Sequence, residues 1–237
     1  MCTVTYYKSE NKTIVTSNRD EHISRPAALF PALHRYQNKA VYFPQDPLAQ
    51  GTWFAVDTLG RTFVLLNGAD KKHQHQPPYK RSRGLILLDL LSADVLAEAW
   101  EQINLNKIEP FTLITIAGDE LLQLRWDEKE KSLIQLDTAI PRIWSSATLY
   151  EEVAIENRKI WFKEFLESTP GTIDSKGLLN FHTGTQIKDK MNGLIINRNQ
   201  QLLTKNITQC VIEHDRFTLT HMDLLQNKQQ QLIEMFQ

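Results

Sequence analysis

Met1-Cys2-Thr3-Val4-Thr5-Tyr6-Tyr7-Lys8, followed after the polar break Ser9–Lys12 by Thr13-Ile14-Val15-Thr16-Ser17-Asn18-Arg19-Asp20-Glu21, is the stretch on which the fold reading turns. Cys2–Tyr7 and Thr13–Ser17 are rich in β-branched and aromatic residues, and the polar break between them predicts a hairpin. A hairpin turning near Glu10-Asn11 returns the cluster Asn18–Glu21, read as a loop after the second strand, to the side of Cys2.

Outward from this hairpin, Arg25-Pro26 ends the polar cluster, and loop with weak strand runs to Gln50. Thr52–Asp57 and Thr62–Leu66 form a second hairpin punctuated by Leu59-Gly60, with Asn67-Gly68 at its end. Lys71–Lys80 is a polar loop. Ser82–Leu91 predicts a buried helix, and Ser92 an N-cap for Ala93–Ile103. Phe111–Ala117, Leu121–Trp126 and Ser132–Leu136 read as strands, Glu151–Glu167 as an amphipathic helix, and Asp174 as the cap of a short helix to Phe181. Gly193–Asn197, Thr208–Glu213 and Phe217–His221 read as closing strands, and Leu225–Gln237 as helical by propensity. Alternating groups of strands and helices, with no repeat or long linker, predict one α+β domain over 1–237 with mainly antiparallel sheets.

The chain has 237 residues, with 27 Lys+Arg against 28 Asp+Glu, so the formal charge of −1 offers no bulk attraction to nucleic acid or anionic membrane. Its 41% hydrophobic content argues for a packed core and against disorder. Two cysteines, Cys2 and Cys210, make no disulfide scaffold. The start lacks a basic and an apolar region of a signal peptide, and Leu85–Leu91 is too short to span a bilayer. A cytoplasmic protein is the expectation.

Cys2 is the sharpest chemical feature. Removal of Met1 leaves a residue with both a thiol and a free α-amine; the amine has an intrinsic pKa of about 7.7–8.0 and the thiol about 8.5. Nucleophile and base then come from one residue. The alternative is a small residue tolerated near a terminus. Asp20 is suited to orient the amine, and Arg19 to tie down Asp20 or Glu21 or to stabilise a thiolate, against the alternative of a solvated loop. Asn67, ending an apolar strand, is either an oxyanion donor or simple turn chemistry of Asn-Gly.

Met1-Cys2, Asn18-Arg19-Asp20-Glu21, Ser24-Arg25-Pro26, Gly51-Thr52-Trp53, Asn67 and Ser82-Arg83-Gly84 follow in the order and rough spacing of the NRDE family, the family of the transport and Golgi organization protein 2. The chain resembles that family over nearly its whole length. The resemblance implies an N-terminal-nucleophile (Ntn) hydrolase fold, a four-layer αββα sandwich whose relatives cleave linear C–N amide bonds. It implies Cys2 as nucleophile, Asp20 holding its amine and Asn67 as oxyanion donor, with Asn18, Arg19, Glu21, Arg25 and Lys205 as binding residues. Such hydrolysis needs no cofactor and no metal. Family members are also linked to intracellular haem trafficking and to lipid or acyl-CoA metabolism. The chain departs from the pattern at Ser145-Ser146, where relatives carry Ser-Asn, and at Thr204-Lys205, where they carry Thr-Arg; Lys205 lacks the planar fork of arginine.

Two functions follow from this reading. One is a Cys2-dependent amide hydrolase. The other is a non-catalytic protein holding haem noncovalently, or an acyl lipid, in the same cleft. His22, His34, His182, His214, His221, Cys2 and Cys210 are the available axial ligands, with no motif to choose among them. His73 and His75 alternate in a Gln/Pro-rich loop and read as solvated, not as metal ligands. Partners are expected to be small molecules (an amide, an acyl lipid or haem), with no nucleic acid; the oligomeric state is not readable.

Overall fold

β1 (Thr3–Lys8) and β2 (Thr13–His22) form the expected antiparallel hairpin, with Thr3 opposite Asn18 and Lys8 opposite Thr13. The computed structural model describes residues 3–169 and 171–236; Cys2 lies outside them. β2 is longer than its sequence suggests. Asn18-Arg19-Asp20-Glu21 continues the strand because its other side pairs with β12 (Leu202–Ile212), from Thr13 opposite Ile212 to His22 opposite Leu202. The ladder satisfies the backbone of these polar residues, which local propensity alone assigns to a loop.

The remaining strands are β3 (Leu29–Tyr36), β4 (Lys39–Gln45), β5 (Phe54–Asp57), β6 (Thr62–Asn67), β7 (Phe111–Ala117), β8 (Glu120–Trp126), β9 (Lys131–Leu136), β10 (Arg142–Ser145), β11 (Asn197–Arg198), β13 (Arg216–Asp223) and β14 (Lys228–Met235). The helices are α1 (Arg83–Ser92), α2 (Leu96–Gln102), α3 (Glu152–Ser168) and α4 (Ser175–Gly184). One sheet runs β10-β1-β2-β12-β13-β14, with β11 also on β12; the other is the meander β3 to β9. All pairings are antiparallel.

Alternation along β1 and β2 builds the layers. Val4, Tyr6 and Val15 join Cys210 and Phe217 of their own sheet and Phe54, Val64 and Leu113 of the other in the central core. Ile14 and Val211 face the opposite way, onto Phe162 of α3 and Leu178 and Phe181 of α4. Leu87, Leu88 and Leu91 of α1 pack on the far side of the second sheet. The result is the expected αββα sandwich. Thr62 Oγ1 lies 3.7 Å from Cys210 Sγ across the sheet interface, and burial pushes the Cys210 thiol up to about 12, which keeps it inert.

Four local expectations change. The weakly predicted β3 and β4 are full strands closing an edge of the second sheet. Ser92 ends α1 instead of capping the next helix, and α2 starts at Leu96 after Val95. Gly193–Asn197 contributes only the short β11. The tail is strand β14, not helix: Gln231, Leu232 and Ile233 pair with β13 in alternating half-buried and exposed positions, so the open sheet edge overrides helical propensity. In β12 the register shifts between Thr204 and Asn206, leaving Lys205 as the extra residue of a bulge. No helix among the described residues is long and apolar enough to cross a membrane.

Candidate active site

Because Thr3 pairs with Asn18, the residues Arg19–His22 run past the described start of β1, and Cys2, the expected nucleophile, lies outside the described residues. Alternation sorts them onto two faces. Asn18 and Asp20 face the helical layer, while Arg19 faces the second sheet.

Asn18 is a structural clamp. Its Nδ2 donates to the carbonyls of Leu194 (2.6 Å) and His182 (3.3 Å), and its Oδ1 lies 2.7 Å from His182 Nδ1. The other imidazole nitrogen, Nε2, is 2.7 Å from Thr5 Oγ1, so one histidine ties β1 to β2. Burial, with Arg158 nearby, pushes His182 down to about 3 and keeps it neutral. Asn18 thus lies away from the cavity that Arg19, Glu21 and Arg25 line.

Asp20 is buried on the same face. It accepts hydrogen bonds from Tyr150 Oη (2.6 Å) and Thr204 Oγ1 (2.5 Å), and the Thr204 hydroxyl in turn accepts from the Ile196 N–H. The Tyr150 ring is covered by the guanidinium of Arg158, 3.5 Å from its centroid. Arg158 is fully buried and donates to Thr3 Oγ1 and to the Asn192 and Gly193 carbonyls. A continuous network therefore links Asp20 to the first residue of β1. Tyr150, Arg158 and His182 carry no local sequence signal: each lies more than a hundred residues from its partner on β1 or β2.

On the other face, Arg19 Nη2 pairs with Asp46 Oδ2 at 2.8 Å, approaches Glu21 Oε2 at 3.5 Å, and stacks on Trp53 with Cζ 4.5 Å from the ring centroid. Arg25 Nε binds the same Asp46 oxygen at 2.9 Å. Burial alone would raise the Asp46 carboxyl, but the Ala49 N–H and the guanidiniums of Arg25 and Arg19 hold it below the usual range. Lys205 Nζ donates to the Arg25 carbonyl at 2.5 Å. Burial and the charge of Arg19 push Lys205 down. The lysine thus anchors the loop that carries Arg25.

These residues enclose a cavity of roughly 90 Å³ lined by Arg19, Glu21, Arg25, Asp46, Trp53, Asn67 and Arg83. It opens into a groove of roughly 680 Å³ bounded by Glu21, Arg25, Asn67, His75, Tyr79, Arg83 and Glu109. Asn67 ends β6 on the wall of both, and its carbonyl accepts from Ser146 Oγ at 2.8 Å. Ser146, one of the departures from the family pattern, therefore holds Asn67 by its backbone. Gly68 has φ +83°, a left-handed conformation that suits glycine, and its N–H donates to the Pro110 carbonyl at 3.0 Å, so the chain bends there without closing a hydrogen-bonded tight turn.

Gly51 and Gly84 explain two motifs at once. A Cβ on Gly51 would lie 2.7 Å from the Gly84 carbonyl carbon, and one on Gly84 would lie 2.6 Å from the Thr52 oxygen. Gly51-Thr52-Trp53 and Ser82-Arg83-Gly84 meet backbone to backbone and set the cavity wall. Ser82 caps α1 by accepting from the Gly84 N–H at 3.2 Å. The His73/His75 loop is more tied down than its composition suggests: His73 Nε2 and His75 Nδ1 each lie 3.2 Å from Glu109 Oε1, and Arg83 Nη2 lies 2.8 Å from Glu109 Oε2. Among the described residues no cluster of His, Cys, Asp and Glu is arranged to hold a metal.

The fold is shared with amide hydrolases. The Caenorhabditis elegans N-acylethanolamine-hydrolyzing acid amidase ortholog superposes with a TM-score of 0.62 at 11% identity, covering 88% of this chain and 92% of that one. A variant of the conjugated bile acid hydrolase from Clostridium perfringens superposes with a TM-score of 0.52 at 8% identity, covering 98% and 92%. No curated protein matches by sequence. Residues 1–232 match the family described as Transport and Golgi organisation 2, and the chain belongs to that family.

Proposed function

We propose that this chain is an N-terminal-nucleophile hydrolase of linear C–N amide bonds, with Cys2 as nucleophile. The observation that carries the reading is the extension of β2 past Thr3, which sets the buried Asp20 and the cavity residue Arg19 on opposite faces at the described start of β1. After loss of Met1, the Cys2 amine accepts the thiol proton as sulfur attacks the substrate carbonyl. Asp20 orients that amine, and the side-chain amide of Asn67 donates to the oxyanion. The C–N bond breaks, and the amine returns its proton to the leaving nitrogen. Water then attacks the thioester, its proton passing through the same amine to sulfur, to release the carboxylic acid. Asp20 is held for this task by Tyr150 and Thr204.

Intact-mass analysis and turnover of a panel of N-acyl amides test this. The expected result is a protein lighter by one methionine that hydrolyses at least one amide, with Cys2→Ala inactive. A retained Met1, or equal activity in Cys2→Ala, refutes it.

A second reading, noncovalent binding of haem or an acyl lipid in the same cleft, is supported by the size of the groove, roughly 680 Å³, which lies in the range of small-molecule sites, and by His75 on its wall. Titration of haem followed in the Soret band, with His75→Ala as comparison, tests the haem version. Absence of saturable binding removes it.

A further inference from the structure

The cavity and the groove share one wall, formed by Glu21, Arg25, Ala49, Asn67, Ser82 and Arg83. Arg25 stands on that wall with only part of its guanidinium engaged. Its Nε donates to Asp46 Oδ2 at 2.9 Å, and Lys205 Nζ pins its backbone carbonyl at 2.5 Å, so the residue is anchored at both ends. Its Nη1 and Nη2 have no partner among the described residues, and its side chain is 32% exposed.

The carboxylates around this edge are all engaged. Asp46 Oδ2 takes Arg19 and Arg25, and Oδ1 accepts from the Leu48 and Ala49 N–H groups, each at 3.0 Å. Glu109 Oε1 faces His73 and His75, and Oε2 faces Arg83. Glu21 Oε1 accepts from the His22 N–H at 2.9 Å, and Oε2 lies 3.5 Å from Arg19. Thr52 Oγ1 is taken up by Pro44 and Phe54. The Ser82 and Tyr79 hydroxyl oxygens accept from the Gly84 and Gln76 N–H groups, which leaves each O–H to donate. What remains on the walls is a surplus of donors: the Arg25 Nη edge, Lys80 Nζ, Trp53 Nε1 and the two hydroxyls. The Asn67 amide offers both roles, and His75, with its side chain 65% exposed, meets water.

Charge then selects among acceptor groups. Arg19 and Arg25 face Asp46 and Glu21, Arg83 faces Glu109, and Arg81 faces Asp89, so Lys80 is one cation over. Burial lowers the Arg83 guanidinium against the pull of Glu109 and Glu21, and the charge of Arg25 adds to the lowering, so the two guanidiniums repel. One spare positive charge suits a monoanion, and two N–H groups on a planar fork suit the paired oxygens of a carboxylate. A carboxamide brings more donors to a wall of donors, an ammonium meets repulsion, and a phosphate dianion carries twice the spare charge.

We propose that the Arg25 Nη edge, with Lys80 on the groove side, is a subsite for a carboxylate carried by the ligand, and that Arg25 is the residue that selects it. Only the statement that this ligand is an amide substrate rests on the hydrolase reading.

Chemical-shift titration of the ¹⁵N-labelled full chain carrying Cys2→Ala tests this, because no turnover then consumes the ligand. The probes are N-acetylglycine, with its carboxylate on the amine portion, and glutaramate, with its carboxylate on the acyl portion. Each is paired with its neutral amide, N-acetylglycinamide or glutaramide. At least one carboxylate is expected to bind about tenfold or more tighter than its neutral partner, and the tighter of the two places the group. Arg25→Gln is expected to abolish that preference and leave the neutral affinities unchanged, while Arg25→Lys, which keeps the charge without the fork, retains part of it. Lys80→Gln, which removes no ion pair, is expected to melt like its parent and to weaken carboxylate binding about threefold. Equal affinity for carboxylates and neutral amides, no saturable binding of either carboxylate, or an undiminished preference in Arg25→Gln overturns the proposal. Should Arg25→Gln fail to fold, unchanged carboxylate affinity in Lys80→Gln overturns it. Tighter binding of a phosphonate dianion in place of the carboxylate overturns the monoanion assignment.

Turnover by the wild type separates the two levels. If amides are hydrolysed while no carboxylate preference exists in binding or turnover, the hydrolase reading stands and the subsite fails. If no amide is hydrolysed while carboxylate binding is present and lost in Arg25→Gln, the hydrolase reading fails and the subsite stands.

Discussion

His182 makes stability depend on pH in a way that can be calculated. It is fully buried between Asn18 and Thr5 and pushed down to about 3 from the ordinary 6.5. Above 6.5 the imidazole is neutral in both folded and unfolded chains and the stabilisation is complete. Below 6.5 the unfolded chain takes up a proton that the folded chain refuses, so stability falls by about 1.4 kcal/mol per pH unit until the folded value is approached. Between pH 7.5 and 5.0 the loss from this residue is about 2 kcal/mol. His221, pushed down to about 4 by burial, contributes a similar loss of about 2 kcal/mol over the same interval. Urea unfolding at the two pH values measures the sum, and His182→Gln isolates one part. The substitution lowers stability by a constant amount through its altered bonds to Asn18 and Thr5, but its stability should fall by about 2 kcal/mol less than wild type on acidification. An identical pH dependence in wild type and His182→Gln would show that the imidazole is not held neutral, and would remove the clamp between β1 and β2.

Tyr150→Phe removes the hydroxyl that Asp20 accepts from while keeping the ring against Arg158; a charge-assisted bond of this kind is worth about 1.5–3 kcal/mol, read as a lower urea midpoint, and amide turnover should fall with it. Gly84→Ala drives a methyl into the Thr52 backbone and should cost about 1–3 kcal/mol, measured by thermal melting, with loss of turnover through the displaced Trp53 wall. Asn67→Ala should lower kcat by about 10²–10³ with the melting temperature nearly unchanged; unaltered kcat would remove it from the oxyanion site.

Much of this arrangement is legible in the first two strands. The β-branched runs flanking a polar turn define the hairpin, and its register brings Arg19 and Asp20 to the head of β1. What misleads is the polarity of Asn18–Glu21, which reads as loop until the ladder with β12 is known. Once the stretch is a strand, a period of two separates Asn18, bound to His182, from Arg19, on the cavity. Tyr150 and Arg158 are not legible, because their meaning lies in contacts across the helical layer that no local pattern encodes. The tail illustrates the same competition: Lys228–Met235 has helical composition but meets an open strand edge at β13.

The extra residue in β12 does more than bend a strand. With strict alternation, Thr204 and Asn206 would point the same way; instead Thr204 reaches Asp20 on the helical side, and Asn206 sits opposite Arg19 on the inner face. The strand thus changes phase at Lys205, reading in one frame through the sandwich core and in the other beside the site. Its length is therefore as constrained as its composition. Deleting one residue there would leave every side chain identity intact, yet force either Cys210 out of the core or Thr204 away from Asp20.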